Sequence, residues 1–221
     1  MLPEHVPIFE RLCREHDVVV VTGGEEAQIK TQIPLESTGL YYMLSQQGNY
    51  AVDKDGTVLW HEHVTPEQEQ AVRAFCDMLT AELTHAVSDP NDLFENRGSQ
   101  LAYSPIGFHE KNEIKYAYDP DQSKRRDMLA RHSKELEKLR EVGIEAMPAG
   151  STTVDFILVG KNKGYNITRF LEREKWNKDD CIYVGDALFP GGNDETVIGV
   201  IPTKAIKNSE ETFAYLSSLL V

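Results

Sequence analysis

One segment near the end of the chain concentrates residue types that hold metal ions. An apolar run ends at Asp186, and a glycine-rich loop then leads to Asn193 and Asp194. Carboxylates at the carboxyl end of a buried strand lie where open α/β sheets bind their ligands, and they suit Mg²⁺, which takes one or two protein oxygens and completes its shell with water and phosphate. The alternative is an ordinary surface turn rich in Asp, Gly and Asn.

A second candidate site follows the four valines of residues 18–21, which end in Thr22-Gly23-Gly24. Four consecutive β-branched residues closed by a glycine pair predict a strand buried on both faces of a parallel sheet. A helix over residues 5–15 precedes this strand and another over residues 25–33 follows it. This order is half of a doubly wound unit without its first strand.

The middle of the chain has a different pattern. Short strands over residues 39–64 contain an Asp-Gly hairpin signal, and Thr65 and Pro66 then begin a long amphipathic helix. Strands near Phe94 and over 101–107, a charged helix over about 122–142, and strands over 144–150 and 153–160 predict an antiparallel sheet backed by helices. We therefore expect an inserted α+β cap at residues 64–160.

The flanking residues 1–63 and 161–221 are expected to form one α/β core with a parallel sheet. Its second part has a helix that begins at Lys163, a buried strand over 181–186, a short strand over 197–202 and a helix over 208–220.

These motifs resemble the haloacid dehalogenase (HAD) superfamily in the capped form of the eukaryotic-type phosphomannomutases, within the Cof/sucrose-phosphatase-like subfamily. The segment from Gly185-Asp186 to Asn193-Asp194 resembles the fourth HAD motif, Thr22-Gly23-Gly24 the second, and Lys163 the third. The resemblance implies a HAD-like Rossmannoid core. It also implies that Asp186 and Asp194 hold Mg²⁺, and that Thr22, Lys163 and the loop residues Gly23, Gly24 and Asn193 hold the phosphoryl group and substrate.

The predicted cap carries two further likenesses. Arg97 ahead of Ser104-Pro105-Ile106-Gly107 resembles the phosphomannomutase cap segment, and the segment from Gly150 to Asp155 resembles the cap strand whose hydroxyl and aspartate meet the sugar. The resemblance implies that Arg97, Thr153 and Asp155 bind a small phosphorylated sugar. It leaves open a homodimer through the cap.

Three positions depart from the mutases. This chain has Phe108, and close to it Glu113, where the mutases carry arginines that resemble a clamp on the distal phosphate of a bisphosphorylated hexose. Their absence favours a phosphatase or another Mg²⁺-dependent phosphotransferase over a true mutase. The Asp-x-Asp-Gly-Thr string, which supplies the family's nucleophile, occurs only at residues 53–57, where we interpret it as a β-turn. Two alternatives follow: a non-catalytic phosphosugar-binding or regulatory protein, or a chain whose nucleophile lies before Met1.

Composition limits the partners and the compartment. The formal net charge of -13 without a basic stripe argues against nucleic acid, and no apolar run long enough for a membrane span is present. Cys13, Cys76 and Cys181 are far apart and are interpreted as buried thiols, so a cytoplasmic protein is expected. The seven histidines show no zinc-binding spacing.

Overall fold

The computed structural model describes residues 1–35 and 39–220. The chain divides into two compact units. The first unit comprises Met1–His61 and Asn162–Val221, and the second comprises Glu62–Lys161.

The helices and strands are numbered in chain order. The first part of the first unit contains α1 Val6–Glu15, β1 Val18–Val21, α2 Glu26–Gln32, β2 Tyr41–Ser45, β3 Tyr50–Val52 and β4 Val58–His61. The second unit contains α3 Pro66–Ala81, β5 Phe94–Asn96, β6 Gln100–Tyr103, α4 Asn112–Tyr118, α5 Ser123–Arg131, α6 Ser133–Glu141, β7 Ile144–Ala149 and β8 Thr153–Leu158. The first unit then continues with α7 Lys163–Glu174, β9 Tyr183–Gly185, β10 Thr203–Ala205 and α8 Ser209–Leu219.

The strands of the first unit form two separate sheets. One has four strands in the order β1-β2-β3-β4, with β1 and β2 parallel, and the other contains β9 and β10 as a parallel pair. Helices α1 and α8 pack beside Val18 and Val20, whereas Phe170 of α7 packs with Val19 and Val21. The predicted parallel-sheet α/β core is therefore confirmed.

Three sequence predictions about these strands are wrong. All four valines of β1 are only half-buried, although the pattern predicts burial on both faces. Ile182, expected in a buried strand, lies before β9 and is 42% exposed. Residues 197–202 contain only an isolated bridge between Ile198 and Ile201, and the strand that pairs with β9 begins at Thr203. The first two errors share one cause, because β1 and β9 are both edge strands.

The hairpin prediction at residues 53–57 is confirmed. These residues join the antiparallel strands β3 and β4. The amide of Gly56 donates to the carbonyl of Asp53 at 3.0 Å, and the amide of Asp53 donates to the carbonyl of Thr57 at 2.8 Å. Gly56 has a φ of 86°, which glycine adopts at little cost. The string that matches the family's nucleophile motif is therefore a turn.

The second unit is an α+β module, as expected. Its antiparallel sheet has the order β5-β6-β8-β7, and its core joins Phe75 of α3, Met128 of α5 and Leu139 of α6 to the strands. The Thr65 hydroxyl and Gln68 form a capping box at the start of α3, which is worth about 1 kcal/mol.

The charged helix predicted over 122–142 is instead two helices. They meet at His132, whose backbone leaves the helical region. Its ring lies 5.9 Å from that of Phe75, and its Nε2 lies 3.1 Å from Glu82 Oε2. These contacts bury His132 at the break, and periodicity does not reveal them because the helical pattern continues across it.

Candidate functional site

The first unit contains a buried ion pair between Lys163 and Asp194. Lys163 is the first residue of α7, a helix capped by Asn162, whose Oδ1 accepts from the amide of Tyr165 at 3.1 Å. The Lys163 ammonium lies 2.5 Å from Asp194 Oδ1, and both residues are buried. Two buried charges are tolerated only when they neutralise each other, so Asp194 fixes where the ammonium lies.

Asp194 receives two more donors. The hydroxyl of Tyr183 donates to Oδ1 at 2.7 Å, and the amide of Ala187 donates to Oδ2 at 3.2 Å. Burial raises the pKa of Tyr183, and the nearby carboxylates of Asp194 and Asp186 raise it further. The phenol therefore stays protonated and remains a donor. Asp194 thus ties Lys163 to the strand and loop around Asp186.

Two glycines let this loop close against its neighbours. A Cβ at Gly185 would lie 2.5 Å from Asp194 Oδ2 and 2.6 Å from a ring carbon of Tyr183. A Cβ at Gly192 would overlap the carbonyl oxygen of Ala187. The glycine-rich composition seen in the sequence is therefore required by close packing at these two positions.

The Thr22 loop is held by a neighbouring segment. The Thr22 carbonyl accepts from the amide of Gln47 at 2.9 Å, and the Gly24 carbonyl accepts from the amide of Gln46 at 2.8 Å. Gln46 and Gln47 have φ values of 54° and 62°, a left-handed backbone that is costly for side chains of this size. Within the loop, the amide of Gly24 donates to Thr22 Oγ1 at 3.1 Å.

Asn166 connects the two halves of the site. It lies one turn after Lys163 on α7 and is fully buried. Its Nδ2 donates to the carbonyl of Gln47 and to Asn49 Oδ1, each at 3.0 Å. The first turns of α7 therefore contact both the segment that holds Thr22 and, through Lys163, the segment that carries Asp194. Sequence analysis missed Asn166, Gln47 and Tyr183 because their roles depend on contacts between distant parts of the chain.

Asp186 is an exposed carboxylate in this region. It follows β9 directly, and the structure describes no hydrogen bond or ion pair for it within residues 1–35 and 39–220. Asn193 is half-buried beside Asp194 in the same loop. Over those same residues, no group of three or more His, Cys, Asp or Glu side chains could hold a metal ion. Asp186 can therefore offer one ligand, whereas the oxygens of Asp194 already accept internal donors.

Comparison with solved structures identifies the architecture. The chain superposes on an N-terminally truncated IMP-nucleotidase from Plasmodium falciparum with a TM-score of 0.68 and 14% identity, covering 100% of this chain and 65% of that one. It superposes on a haloacid dehalogenase-like hydrolase from Bacteroides thetaiotaomicron with a TM-score of 0.65 and 10% identity, covering 99% and 93%. The chain has a HAD-like fold.

The HAD-like chain spans less than two thirds of the IMP-nucleotidase structures, with 65% and 62% of their lengths covered in two of them. No protein-family model matches the sequence, and no curated protein matches it either. The predicted HAD-like fold is thus confirmed, while the phosphomannomutase subfamily stays a prediction. Among the helices that the structure describes, none is long and apolar enough to cross a membrane.

In the second unit of this HAD-like chain, the predicted sugar-binding residues make local contacts. Arg97 donates through Nε and Nη2 to Glu95 Oε2 at 2.9 and 2.7 Å, and its guanidinium lies 5.4 Å from the centre of the Phe108 ring. The Thr153 hydroxyl donates to the carbonyl of Ala149 at 2.7 Å. Asp155 is buried on β8 and is not solvent-facing. Their substrate-binding roles stay predictions.

Arg125 is a structural residue that sequence analysis missed. Its side chain is 1% exposed and donates to Asp119 Oδ2 at 2.8 Å. It also donates to the carbonyls of Ala149 at 2.5 Å and Thr153 at 2.9 Å. It therefore holds the turn that leads into the Gly150–Asp155 motif. Within a helix rich in charged residues, nothing in the sequence distinguishes this arginine from its exposed neighbours.

Proposed function

We propose that the first unit binds a phosphate monoester together with Mg²⁺, in a site of the phosphatase type that HAD-like hydrolases use. The observation that carries this proposal is the buried Lys163–Asp194 pair at the start of α7. Asn166, on the same helix, bonds to the segment that holds the Thr22 loop. A positioned ammonium and a threonine loop on one scaffold suit a phosphoryl group.

The Lys163 ammonium and the Thr22 hydroxyl each have at least one proton that can be donated to a phosphate oxygen. Lys163 has three N–H donors and directs one of them to Asp194. The Thr22 hydroxyl accepts from the amide of Gly24 and can donate its own proton to a phosphate oxygen. The glycines of the Thr22-Gly23-Gly24 loop let an anion approach the backbone closely.

The proposed metal ligand is Asp186. Its exposed position after β9 fits a Mg²⁺ ion that takes one protein carboxylate and fills its remaining positions with phosphate oxygens and water. When bound, Mg²⁺ would offset the negative charge of the phosphoryl group. In this arrangement Asp194 positions Lys163 and the loop that carries Asn193, instead of binding the ion as the family resemblance implies.

Two substrate classes follow from different observations. The likeness of Arg97, Thr153 and Asp155 to a phosphomannomutase cap favours a hexose phosphate, and the observed Arg97–Glu95 pair leaves that role to be tested. The structural similarity to IMP-nucleotidase favours a nucleoside monophosphate. Phe108, in place of an arginine that would clamp a second phosphate, is compatible with either monophosphate and disfavours a bisphosphate.

Binding without turnover is the expectation for residues 1–221 alone. The Asp53–Thr57 string forms a hairpin turn, and covalent phosphoryl transfer needs a carboxylate that can reach the phosphorus atom. This expectation agrees with the alternative of a non-catalytic phosphosugar-binding or regulatory protein, and measured turnover of a phosphate ester would contradict it.

Calorimetric titration with mannose 1-phosphate, glucose 6-phosphate and IMP, with and without Mg²⁺, tests the proposal. We expect Mg²⁺-dependent binding that weakens about tenfold or more in Lys163→Met and Asp186→Asn, because each loses a charge-assisted contact. Lys178 and Asp179 are exposed residues of the same unit, so Lys178→Met and Asp179→Asn are matched controls for the two site variants. Equal affinities in site and control variants, or no binding of any of the three esters, would refute the proposed site.

A further inference from the structure

Residues 46–48 form a left-handed stretch of backbone that contacts the Thr22 loop. Gln46, Gln47 and Gly48 have φ values of 54°, 62° and 85°. We call these residues the left-handed segment. Glycine adopts such angles at little cost, whereas the Cβ of a glutamine is crowded by the backbone there. Both glutamines are buried. Strain of this kind persists only where the surrounding structure enforces it, and it concentrates at functional sites.

The segment changes which amides bind the Thr22 loop. The amide of Thr22 donates to the carbonyl of Leu44 at 2.9 Å, which continues the parallel pairing of β1 with β2. If β2 continued as a regular strand, the Thr22 carbonyl would accept from the amide of Gln46. Instead it accepts from Gln47 at 2.9 Å, and Gln46 donates to the carbonyl of Gly24 at 2.8 Å. The left-handed backbone therefore fixes both ends of the Thr22-Gly23-Gly24 loop.

These two bonds affect how the loop can receive an anion. A carbonyl oxygen carries partial negative charge, so a loop that binds phosphate through its donors must direct its carbonyls elsewhere. The segment engages the carbonyls of Thr22 and Gly24 in this way. If the segment relaxed, both carbonyls would lose these donors and could turn toward the ligand.

Two side chains bind the carbonyls of the left-handed segment. Asn166 of α7 donates through Nδ2 to the carbonyl of Gln47 at 3.0 Å, and Nε1 of Trp60 in β4 donates to the carbonyl of Gly48 at 2.8 Å. Asn166 also lies so close that a Cβ on Gly48 would be 2.6 Å from the Asn166 Cβ. We call Asn166 and Trp60 the lock, because their bonds hold the segment at angles that its glutamines disfavour.

We propose that Asn166 and Trp60 are positioning residues that keep the strained segment left-handed, so that the Thr22 loop has the shape that receives a phosphate group. This role rests on the proposed function and adds to it a control of anion affinity by two residues that do not contact the ligand. Because backbone strain is the force that the lock opposes, removing the strain at Gln47 should make the lock unnecessary.

Amide exchange without any ligand tests the lock. In Asn166→Ala we expect the amides of Gln46 and Gln47 to exchange about tenfold faster, measured relative to the amides of β2, which report the stability of the sheet. Trp60→Phe keeps an aromatic ring and loses one donor, so it should have a smaller effect in the same direction. It also serves as the test if Asn166→Ala does not fold. Thr168→Ala, at an exposed position of α7, is the control and should leave the rates unchanged.

A second substitution at Gln47 separates strain from lost packing. Gln47→Gly and Gln47→Ala remove nearly the same side chain, but only glycine accepts a φ of 62° without strain. In the Asn166→Ala background, the glycine should return the exchange rates to within about threefold of those of the unmodified chain, and the alanine should not. If Asn166 only filled space, both second substitutions would speed exchange further, because each removes a buried side chain. Equal rates for the two double variants would overturn the proposal.

Titration with inorganic phosphate and Mg²⁺ connects the segment to the phosphate site. We expect Asn166→Ala to weaken phosphate binding about tenfold, with recovery in the glycine double variant and none in the alanine double variant. Equal affinities in all variants of a chain that binds phosphate would overturn the positioning role and leave the proposed function standing. If the unmodified chain binds no phosphate, the proposed function and the positioning role both fail. Unchanged exchange at Gln46 and Gln47 in both lock variants would overturn the lock whatever the titrations show.

Discussion

The side-chain amide of Asn166 and the main-chain carbonyl of Gln47 are joined by a 3.0 Å hydrogen bond across 119 residues of sequence. Gln47 in turn donates its backbone amide to the carbonyl of Thr22. These two bonds hold together three segments that are remote in the sequence, namely the Thr22 loop, the segment at Gln47 and helix α7. The bond matters because α7, which carries Asn166, also begins with Lys163.

Replacing Asn166 with Ala should therefore destabilise the first unit by about 1–3 kcal/mol, since it leaves the buried Gln47 carbonyl without this donor. Urea unfolding followed by tryptophan fluorescence measures the change. Asn112→Ala, at an exposed position of α4, is the control and should stay within about 0.5 kcal/mol of the unmodified chain. Equal stabilities of the two variants would contradict the structural role given to Asn166.

The Lys163–Asp194 pair predicts a strong coupling between two substitutions. Removing one member of a buried ion pair leaves the other charge buried without a partner and lowers the free energy of unfolding by about 3–5 kcal/mol. We expect a loss of this size for Lys163→Met and for Asp194→Leu. The double variant should be more stable than the sum of the single effects predicts, because no charge is then left buried alone. A thermodynamic cycle from urea unfolding supplies the measurement. Strict additivity would show that the ammonium and carboxylate do not depend on each other.

The hairpin at residues 53–57 predicts a substitution without functional effect. Asp53→Asn should leave the affinity for Mg²⁺ and phosphate esters unchanged, because Asp53 lies in the β3–β4 turn and its side chain accepts from the amide of Lys54 at 2.5 Å. The same calorimetric titrations test this. If the chain has a robust Mg²⁺-dependent phosphatase activity and Asp53→Asn abolishes it, the interpretation of residues 53–57 as a simple turn is wrong. These residues would then be the catalytic motif.

The pair of Asp92 and His109 predicts a pH-dependent contribution to stability. A hydrogen bond to the Asp92 side chain, together with the negative charge of that side chain, raises the pKa of His109 above the ordinary value for histidine. Burial opposes ionisation of Asp92, but the backbone amide and ring of His109 hold its pKa below 3.8. A raised histidine pKa stabilises the fold fully below about pH 6.5, and this is lost as the pH rises through the folded-state value.

The lowered Asp92 pKa has the opposite sign. Its contribution is present above about pH 4 and disappears as the pH falls through the folded-state value. Urea midpoints at about pH 5.5 and 8.5 should therefore differ less in His109→Gln than in the unmodified chain, with a small effect because the ring is exposed. A larger pH difference in the variant would show that His109 is not the group responsible.

The sequence by itself determined the elements whose signals are local. The Thr65 cap of α3, the start of a helix at Lys163 and the Asp-Gly turn each depend on residues a few positions apart, and the structure has all of them where the pattern indicates. The alternation of strands and helices likewise predicted an α/β core and an α+β module, because side-chain periodicity reports which faces are buried.

Tertiary structure decided which of those residues meet. Lys163 and Asp194 are 31 residues apart, and no spacing rule distinguishes Asp194 as its partner from Asp186 as the exposed carboxylate. The buried role of Arg125 depends on carbonyls that a separate turn presents. The valines of β1 show that composition alone does not fix burial. Four consecutive valines predict complete burial, but β1 pairs only with β2 and its valines are half-buried. Pairing between strands is set by contacts across the sheet, and local sequence does not encode them.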